Sequence, residues 1–313
     1  MEKEKEMPPY RADRMTDQTP AADPAVRRPA LARQRQALIL EQVREHGAVR
    51  VADLVTTLGV SDMTVRRDLE LLHERGLIEK VHGGAAAIEG SALYEPGFTA
   101  KSSLMQAEKL AIAAAAATLV APGTAIAISA GTTTFELGRD LVDVPGLTVL
   151  TNSVPVAEAL YRDGRPDQTV ILSGGVRTPS DALVGPFAVD VIRSLHVDTV
   201  FMGTHGLDPR SGLTTPNILE AETNRALIES GRRLIVLADH TKWGIIGISS
   251  VGRLADVDTV ITDSGLEPSA RTQLAAIVRR LMVVDPRTGE RQTTLGGAEE
   301  NRDTNHLANG ADG

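Results

Sequence analysis

Residues 51–85, VADLVTTLGVSDMTVRRDLELLHERGLIEKVHGGA, contain two short helical patterns separated by a tight turn. In the first pattern, apolar residues recur at positions i, i+3, i+4 and i+7 from Val51, and Gly59 ends it. The second pattern begins at Ser61, a favourable N-cap residue, and its apolar stripe starts at Val65. Two short helices joined by a glycine-containing turn predict a helix-turn-helix.

The second of these helices turns polar side chains away from its apolar stripe. At about 100° per residue, Met63, Arg67 and Glu70 lie opposite the stripe, with Thr64 and Arg66 at the edges of that face. Arginine binds guanine or phosphate through paired hydrogen bonds, and threonine reaches a phosphate or a thymine methyl group. The alternative is a solvated face on which both arginines pair with the glutamate. Spacing alone favours DNA contact only slightly.

The segment after this helix predicts a small β-wing. Residues 76–86, GLIEKVHGGAA, suit a short strand pair, and Gly83 and Gly84 allow a tight backbone turn. A helix-turn-helix followed directly by such a wing is the winged-helix arrangement. In it, Lys80 and His82 lie near the phosphate backbone or the minor groove. For the histidine, an ordinary surface position is the alternative.

Composition divides the chain into two domains between polar tails. Residues 1–30 and 286–313 are rich in charged and small residues without periodicity, so both are predicted to be disordered. Residues 31–88 form the predicted winged helix-turn-helix domain. Residues 89–100 contain glycine and proline and form the predicted linker. Residues 101–285 alternate strand-like with helical runs and form the second domain.

The composition also restricts the class of protein. The chain has no cysteine, which excludes disulfides and thiolate metal sites and fits a reducing, cytoplasmic location. No apolar run reaches the roughly 20 residues that cross a bilayer, so no membrane partner is expected. The net charge of -8 argues against a chain that coats nucleic acid throughout, but it leaves room for a local basic surface.

Six apolar runs in the second domain predict a mostly parallel α/β fold. They show little alternation, as expected for strands covered on both faces, and helical segments separate most of them. The runs are AIAIS (125–129), LTVLT (147–151), TVILS (169–173), DTVFMG (198–203), RLIVLAD (233–239) and DTVITD (258–263). In such sheets, ligands bind at the carboxyl ends of the strands.

Four loops at these strand ends carry groups that bind anions or hydroxyls. Gly131 and the three threonines after it open a helix, whose free N–H groups make a phosphate or carboxylate cradle. Asn152, the pair Gly174 and Gly175, and Lys242 follow three other strands. Each alone is also typical of a cap, a turn or a solvated side chain. Together they favour a small phosphorylated ligand.

No catalytic set is indicated by spacing. There is no G-x-S-x-G motif, no P-loop and no His/Asp/Glu metal cluster, so neither a cofactor nor a metal is predicted. In a sugar isomerase, a lysine with a carboxylate could transfer protons, and Asp239, His240 and Lys242 are close in sequence. Glu220 and Glu222 could add carboxylates, although acids in the first turn of a helix more often complement its dipole.

Residues 51–85 resemble the N-terminal signature of the DeoR family of bacterial transcription regulators. The shared core is VS-MT-RRDL-L-L---G-----HGGA. The resemblance implies DNA binding, with the second helix of the motif as the reading helix. The candidate DNA-binding residues are Ser61, Met63, Thr64, Arg66, Arg67, Lys80 and His82.

The second domain resembles the sugar-phosphate-sensing domain of the same family, which is similar in fold to ribose-5-phosphate isomerase and CoA-transferase-like proteins. The shared segments include GTTT, LTNS, SGG, GLTTPNILEAETNRAL and LADHTKWG. This chain departs from the family at Ser129–Ala130, where an acidic residue is common, and at His205, where Asp or Asn is common. The effector-binding residues that the resemblance implies are Glu95, Lys101, Gly131, Thr132, Thr133, Asn152, Gly174, Gly175 and Lys242.

These observations predict a repressor of a carbohydrate operon that a phosphorylated sugar releases from its operator. The expected partners are double-stranded operator DNA, the sugar phosphate and further copies of the chain in a dimer or tetramer. The last expectation rests on the resemblance and on the need for two reading helices at a two-part operator. Two alternatives stay open: a sugar-phosphate isomerase-like enzyme with a DNA-binding module, and a DNA-binding protein without an effector.

Overall fold

The first region consists of three helices and a small sheet. The computed structural model describes residues 32–46, 48–75, 77–81, 83–86 and 97–296. The elements of the first region are α1 (Ala32–His46), β1 (Ala48–Arg50), α2 (Val51–Leu58), α3 (Asp62–Glu74), β2 (Glu79–Val81) and β3 (Gly84–Ala86). Their order confirms the predicted winged helix-turn-helix.

The turn between α2 and α3 follows from the residues at its two ends. Gly59 ends α2 in the left-handed conformation, with φ of 64°, and its N–H donates to the carbonyl of Val55. Ser61 caps α3, because its side chain accepts a hydrogen bond from the N–H of Thr64. The apolar faces of the helices meet in a core of Ile39, Val43, Val51, Leu54, Val65, Leu69, Leu72, Ile78 and Ala85.

The wing has one strand more than the sequence predicts. Its antiparallel sheet has the order β1-β3-β2, so the strand between α1 and α2 joins the predicted pair. A three-residue strand is too short to show the alternation that identifies strands in sequence. Gly84 is required here because a Cβ at this position would lie 2.0 Å from the carbonyl oxygen of Val49.

A short helix precedes the second domain. Helix α4 (Phe98–Ser102) begins inside the predicted linker, of which residues 89–96 lie outside the described part of the chain. The N–H of Phe98 donates to the carbonyl of Pro179 at 3.2 Å. The ring of Phe98 meets the ring of Phe135 edge-on, with centroids 5.5 Å apart. These contacts attach α4 to the second domain.

The second domain is an α/β structure around a large sheet. Its helices are α5 (Gln106–Ala117), α6 (Thr132–Asp140), α7 (Val154–Asp163), α8 (Pro186–Arg193), α9 (Ile218–Ser230) and α10 (Pro268–Ile277), with 3-10 turns at His240–Lys242 and Leu254–Asp256. Its strands are β4 (Ala125–Ile128), β5 (Thr148–Thr151), β6 (Thr169–Leu172), β7 (Val176–Arg177), β8 (Leu183–Val184), β9 (Val197–Gly203), β10 (Gly206–Asp208), β11 (Gly212–Thr215), β12 (Gly231–Leu237), β13 (Ser249–Gly252), β14 (Thr259–Asp263), β15 (Arg280–Val284) and β16 (Arg291–Leu295).

The main sheet confirms the predicted mostly parallel α/β architecture. Its eight strands have the order β16-β15-β14-β12-β9-β4-β5-β6, and every pair is parallel except β15 with β16. All six predicted strands are present. Two apolar clusters form the core. The first includes Val200, Val236 and Val260, and the second includes Ile128, Phe201 and Ile261.

The chain after Pro286 corrects the predicted disorder. Residues 291–295 form the edge strand β16, while residues 297–313 lie outside the described part of the chain. A turn reverses the chain, because the N–H of Gly289 donates to the carbonyl of Asp285 at 2.8 Å. The strand escaped prediction because it is exposed along its whole length and carries mostly polar residues.

Candidate functional site

The N-terminal half of α3 presents exposed side chains away from the core. Met63 has 77% of its surface exposed, and Arg66 and Arg67 are exposed beside it. The hydroxyls of Ser61 and Thr64 lie 2.9 Å apart and share a hydrogen bond. The structure therefore brings these five predicted residues together, with the two hydroxyls partly engaged in capping the helix.

The two arginines of α3 differ in their partners. Arg66 Nε lies 2.5 Å from Asp62 Oδ1, and this hydrogen bond raises the pKa of the guanidinium. Glu70 pairs with Lys80 of the wing, and that hydrogen bond lowers the pKa of the Glu70 carboxyl. Among the described residues, Arg67 makes neither a hydrogen bond nor an ion pair. Glu70 is thus not the partner of either arginine, and the Arg67 guanidinium keeps its donors available.

The wing places one predicted cation beside α3. The side chain of Lys80 remains 44% exposed while it joins β2 to Glu70. The ammonium therefore lies at the surface that α3 presents. His82, the other predicted wing residue, lies outside the described part of the chain.

A buried carboxylate that sequence reasoning missed fixes α3 against α1. Asp68 is 3% exposed and accepts hydrogen bonds from Arg35 Nε at 2.5 Å and from Gln36 Nε2 at 3.1 Å. Arg75 extends the network by donating to Gln36 Oε1 at 3.3 Å. Helical spacing indicates that Asp68 is buried, because it lies three residues after Val65 on the same side of the helix.

The second candidate site is a cavity of about 460 Å³ at the carboxyl ends of β4, β9 and β12. Its walls come from the loops after these strands and from α4, α5 and α9. This is the edge of the sheet at which the sequence predicts a ligand. The predicted effector-binding residues that line it are Lys101, Gly131, Thr132, Thr133 and Lys242.

The loop after β4 lines the cavity with the start of a helix. Gly131 is the N-cap of α6 and has φ of 154°, a conformation that other residues rarely adopt. The first N–H groups of a helix have no carbonyl partner within it, and the aligned peptide dipoles add partial positive charge there. Thr132 and Thr133 add hydroxyls at the same place. Such a helix start binds phosphate.

Other predicted effector residues do not line the cavity. Asn152 is 1% exposed; its Oδ1 accepts from the N–H of Ala130 at 2.9 Å, so it supports the loop after β4 from behind. Neither Gly174 nor Gly175 lines it, and a Cβ at Gly175 would lie 2.5 Å from a main-chain oxygen. The role of these three residues in the structure is to shape the fold. Glu95 lies outside the described part of the chain.

A buried lysine that sequence reasoning missed also lines the cavity. Lys109 on α5 is 4% exposed, and its ammonium donates to the carbonyl of Lys101. Burial lowers its pKa from 10.5 to about 8, with the charges of Lys242 and Lys101 adding to the effect and Asp239 opposing it. The signal was available, because Lys109 lies on the same helix face as Ile112, Ala113 and Ala116.

Two carboxylates complete the polar lining. Glu220 accepts hydrogen bonds from the hydroxyls of Thr178, at 2.8 Å, and Ser180. Asp239 Oδ1 accepts from the N–H of Thr241 at 3.0 Å. Glu220 lies in the first turn of α9, as its dipole role predicts, and it also faces the cavity. Glu222 is exposed and does not line the cavity.

The two departures from the family pattern lie in different surroundings. Ser129 is fully buried, and its hydroxyl oxygen accepts from the N–H of Gly203 at 3.0 Å. It therefore joins the ends of β4 and β9 and does not line the cavity. His205 does line the cavity. Ala130, the other residue of the first departure, also lines the cavity but has no polar side chain. His205 therefore brings the polar side chain that these departures add to the cavity wall.

The cavity offers groups for an anion and for hydroxyls together. Three ammonium groups and a helix start can hold a phosphate, while two carboxylates and several threonines can bind sugar hydroxyls. Within the described ranges, no group of three His, Asp or Glu side chains is arranged to hold a metal ion. In the same ranges, no helix has the length and apolar character that spanning a membrane requires.

The fold and its two sites define a winged-helix regulator with a ligand-sensing domain. Residues 35–91 match the family described as DeoR-like helix-turn-helix domain, and residues 104–264 match the DeoR C terminal sensor domain. The chain therefore belongs to the DeoR family of transcriptional regulators.

Curated relatives match along most of their length. The chain is 35% identical over 242 residues to the uncharacterized HTH-type transcriptional regulator YgbI of Escherichia coli K12, covering 77% of this chain and 93% of that one. It is 33% identical over 248 residues to the transcriptional repressor AccR of Agrobacterium fabrum, covering 79% and 94%. Among solved structures, a ribose 5-phosphate isomerase A of Methanocaldococcus jannaschii is 16% identical, with a TM-score of 0.31 over 43% of this chain and 53% of that one. A TM-score this low supports no conclusion about activity.

Proposed function

We propose that this protein is a repressor of a carbohydrate operon, which a phosphorylated sugar releases from its operator. The observation that carries the proposal is the cavity, where a helix start and three lysines surround one space beside two carboxylates. A phosphate takes the cationic end, and sugar hydroxyls take the carboxylates. One relative, 31% identical over 234 residues, is named a putative aga operon transcriptional repressor, which supports the sign of regulation.

In this proposal, α3 reads the major groove of the operator. Met63, Arg66 and Arg67 point away from the domain core, and the guanidinium of Arg67 has its donors available. Ser61 and Thr64 contact a phosphate at the start of the helix, and Lys80 and His82 follow the backbone from the wing. A two-part operator requires two such domains, so the protein acts as a homo-oligomer.

In the cavity, the phosphate lies against Gly131, Thr132 and Thr133, with Lys101 and Lys242 beside it. The lysine ammonium groups act as point charges on the phosphate oxygens. Asn152, which bonds to the loop after β4, belongs to the proposed effector site as a support of that loop. Glu95, Gly174 and Gly175 stay proposed members of the site, as the family resemblance implies.

The function is tested by fluorescence anisotropy of the full chain on DNA from upstream of its own gene, at fixed salt. Ribose 5-phosphate, fructose 1-phosphate, fructose 6-phosphate and glucose 6-phosphate are added in turn. We expect binding well above that to scrambled duplex, and release by one of the four. Arg67→Ala weakens operator binding tenfold or more, by analogy with lost base or phosphate contacts. Arg162→Ala, which removes an exposed guanidinium from α7, leaves it unchanged.

Measuring the turnover of a sugar phosphate distinguishes an isomerase from a sensor. Lys109, with a pKa of about 8, faces the same cavity as two carboxylates, which is a set that proton transfer uses. We expect no conversion of ribose 5-phosphate to its ketose by the full chain. Conversion that disappears in Asp239→Asn would establish an enzyme in place of a sensor.

A further inference from the structure

Several contacts between described residues attach helix α4 to the second domain. The N–H of Phe98 donates to the carbonyl of Pro179 at 3.2 Å, and its ring meets the ring of Phe135 edge-on. At the other end, the ammonium of Lys109 donates to the carbonyl of Lys101. Each partner belongs to the surroundings of the cavity. Pro179 immediately precedes a wall residue, Phe135 lies on the helix of the phosphate cradle, and Lys109 is a wall residue itself.

The same helix reaches the DNA-binding region. Helix α4 lies against α1. In turn, Arg35 and Gln36 of α1 hold Asp68 of α3. A five-residue helix is therefore in contact both with the cavity wall and with the helix that positions the candidate reading helix.

Helix α4 itself forms part of the cavity wall. The side chain of Lys101, at the C-terminal end of α4, lines the cavity, and the carbonyl of the same residue accepts from Lys109. A phosphate attracts both ammonium groups, and a shift of either one moves this end of the helix. A ligand that binds two positions of α4 with different affinity changes their populations.

We propose that α4 is the coupling element between the cavity and the DNA-binding region, with Phe98 as its positioning residue. The inference rests on the proposed function, since it takes a phosphorylated ligand and an operator as given. Coupling is measured as the ratio of operator affinities without and with ligand, which in allosteric proteins is roughly 5- to 150-fold.

The test is Phe98→Ala in the full chain, with Phe187→Ala as the matched control. Phe187 lies on α8, and 79% of its surface is exposed. The ligand is whichever of the four sugar phosphates named above releases wild type, and its affinity is measured by titration calorimetry. We expect Phe98→Ala to bind it within about threefold of wild type, while the coupling ratio falls below about twofold. Phe187→Ala keeps the wild-type ratio.

Every outcome decides the inference. Wild-type coupling in Phe98→Ala overturns it, and so does loss of ligand binding, because the ring then shapes the cavity. A wild type that no sugar phosphate releases overturns the proposed function and this inference with it. If Phe98→Ala does not fold, Phe98→Leu and hydrogen exchange of wild type with and without ligand replace it. Unchanged exchange in both α1 and α4 of the liganded wild type counts against α4 as the coupling element.

Discussion

Replacing Asp68 by alanine tests whether a buried network sets the position of α3. The carboxylate is 3% exposed and holds Arg35 and Gln36 of α1. Removing one partner of a buried ion pair costs about 3–5 kcal/mol, and the lower end applies here because Arg35 is 12% exposed. If the free energy of unfolding falls by about 3 kcal/mol, the slowest α3 amides exchange roughly a hundredfold faster. Hydrogen exchange with mass spectrometry on the full chain measures this rate, and operator affinity falls with it.

Asp62→Ala is the matched control on the same helix. Asp62 also pairs with an arginine, but both side chains are more than half exposed, at 59% for Asp62 and 58% for Arg66. Exposed pairs contribute little to stability, so the slowest α3 amides of Asp62→Ala exchange at nearly the wild-type rate. Equal exchange rates in the two variants would refute the reasoning, since burial would then make no difference to the pair.

Three further predictions concern the wing and the cavity. Gly84→Ala brings a Cβ within 2.0 Å of the carbonyl oxygen of Val49, so the wing opens and operator affinity drops in anisotropy. Gly131→Ala places a non-glycine residue at a backbone φ of 154°. This strain lowers the free energy of unfolding in denaturant by about 1–3 kcal/mol and removes thermal stabilisation by any sugar phosphate. Lys109 has its pKa lowered from 10.5 to about 8, so between these pH values the unfolded chain binds more protons than the folded one. The free energy of unfolding of wild type, relative to that of Lys109→Met, therefore rises by about 1–3 kcal/mol from pH 8 to 10.5. Plots of unfolding free energy against pH that run parallel for the two proteins would contradict this.

The sequence predicted the outward face of α3 because helical geometry leaves little freedom. Once the apolar stripe is identified, the direction of Met63 and Arg67 follows from the period alone. The pairing of charges did not follow. Arg66 bonds to Asp62, and Glu70 bonds to a wing residue distant in sequence. Choosing between nearby carboxylates depends on side-chain rotamers and on tertiary neighbours, which spacing does not contain.

The strand-end loops were located correctly, but not the directions of their side chains. Gly131 faces the cavity, whereas Asn152, at the end of the neighbouring strand, turns inward and bonds to the loop beside it. A strand end can present a side chain to either side, and packing decides which. Lys109 was missed because a lysine is expected on a solvated face, although its spacing from Ile112 and Ala116 places it on the buried face of α5.

The cavity and helix α3 carry different kinds of cation, although the wing adds Lys80 beside α3. The chain has six lysines, and three of them line the cavity. Arginine keeps its charge when buried, whereas burial lowers the pKa of a lysine, to about 8 for Lys109. Lysine can therefore be buried beside a reversibly bound anion at lower cost in desolvation. On α3 the exposed cations are arginines, whose planar donors match guanine and phosphate and remain charged at every physiological pH. The choice of cation thus supports, independently of the loops, the proposal that α3 and the cavity bind different anionic partners.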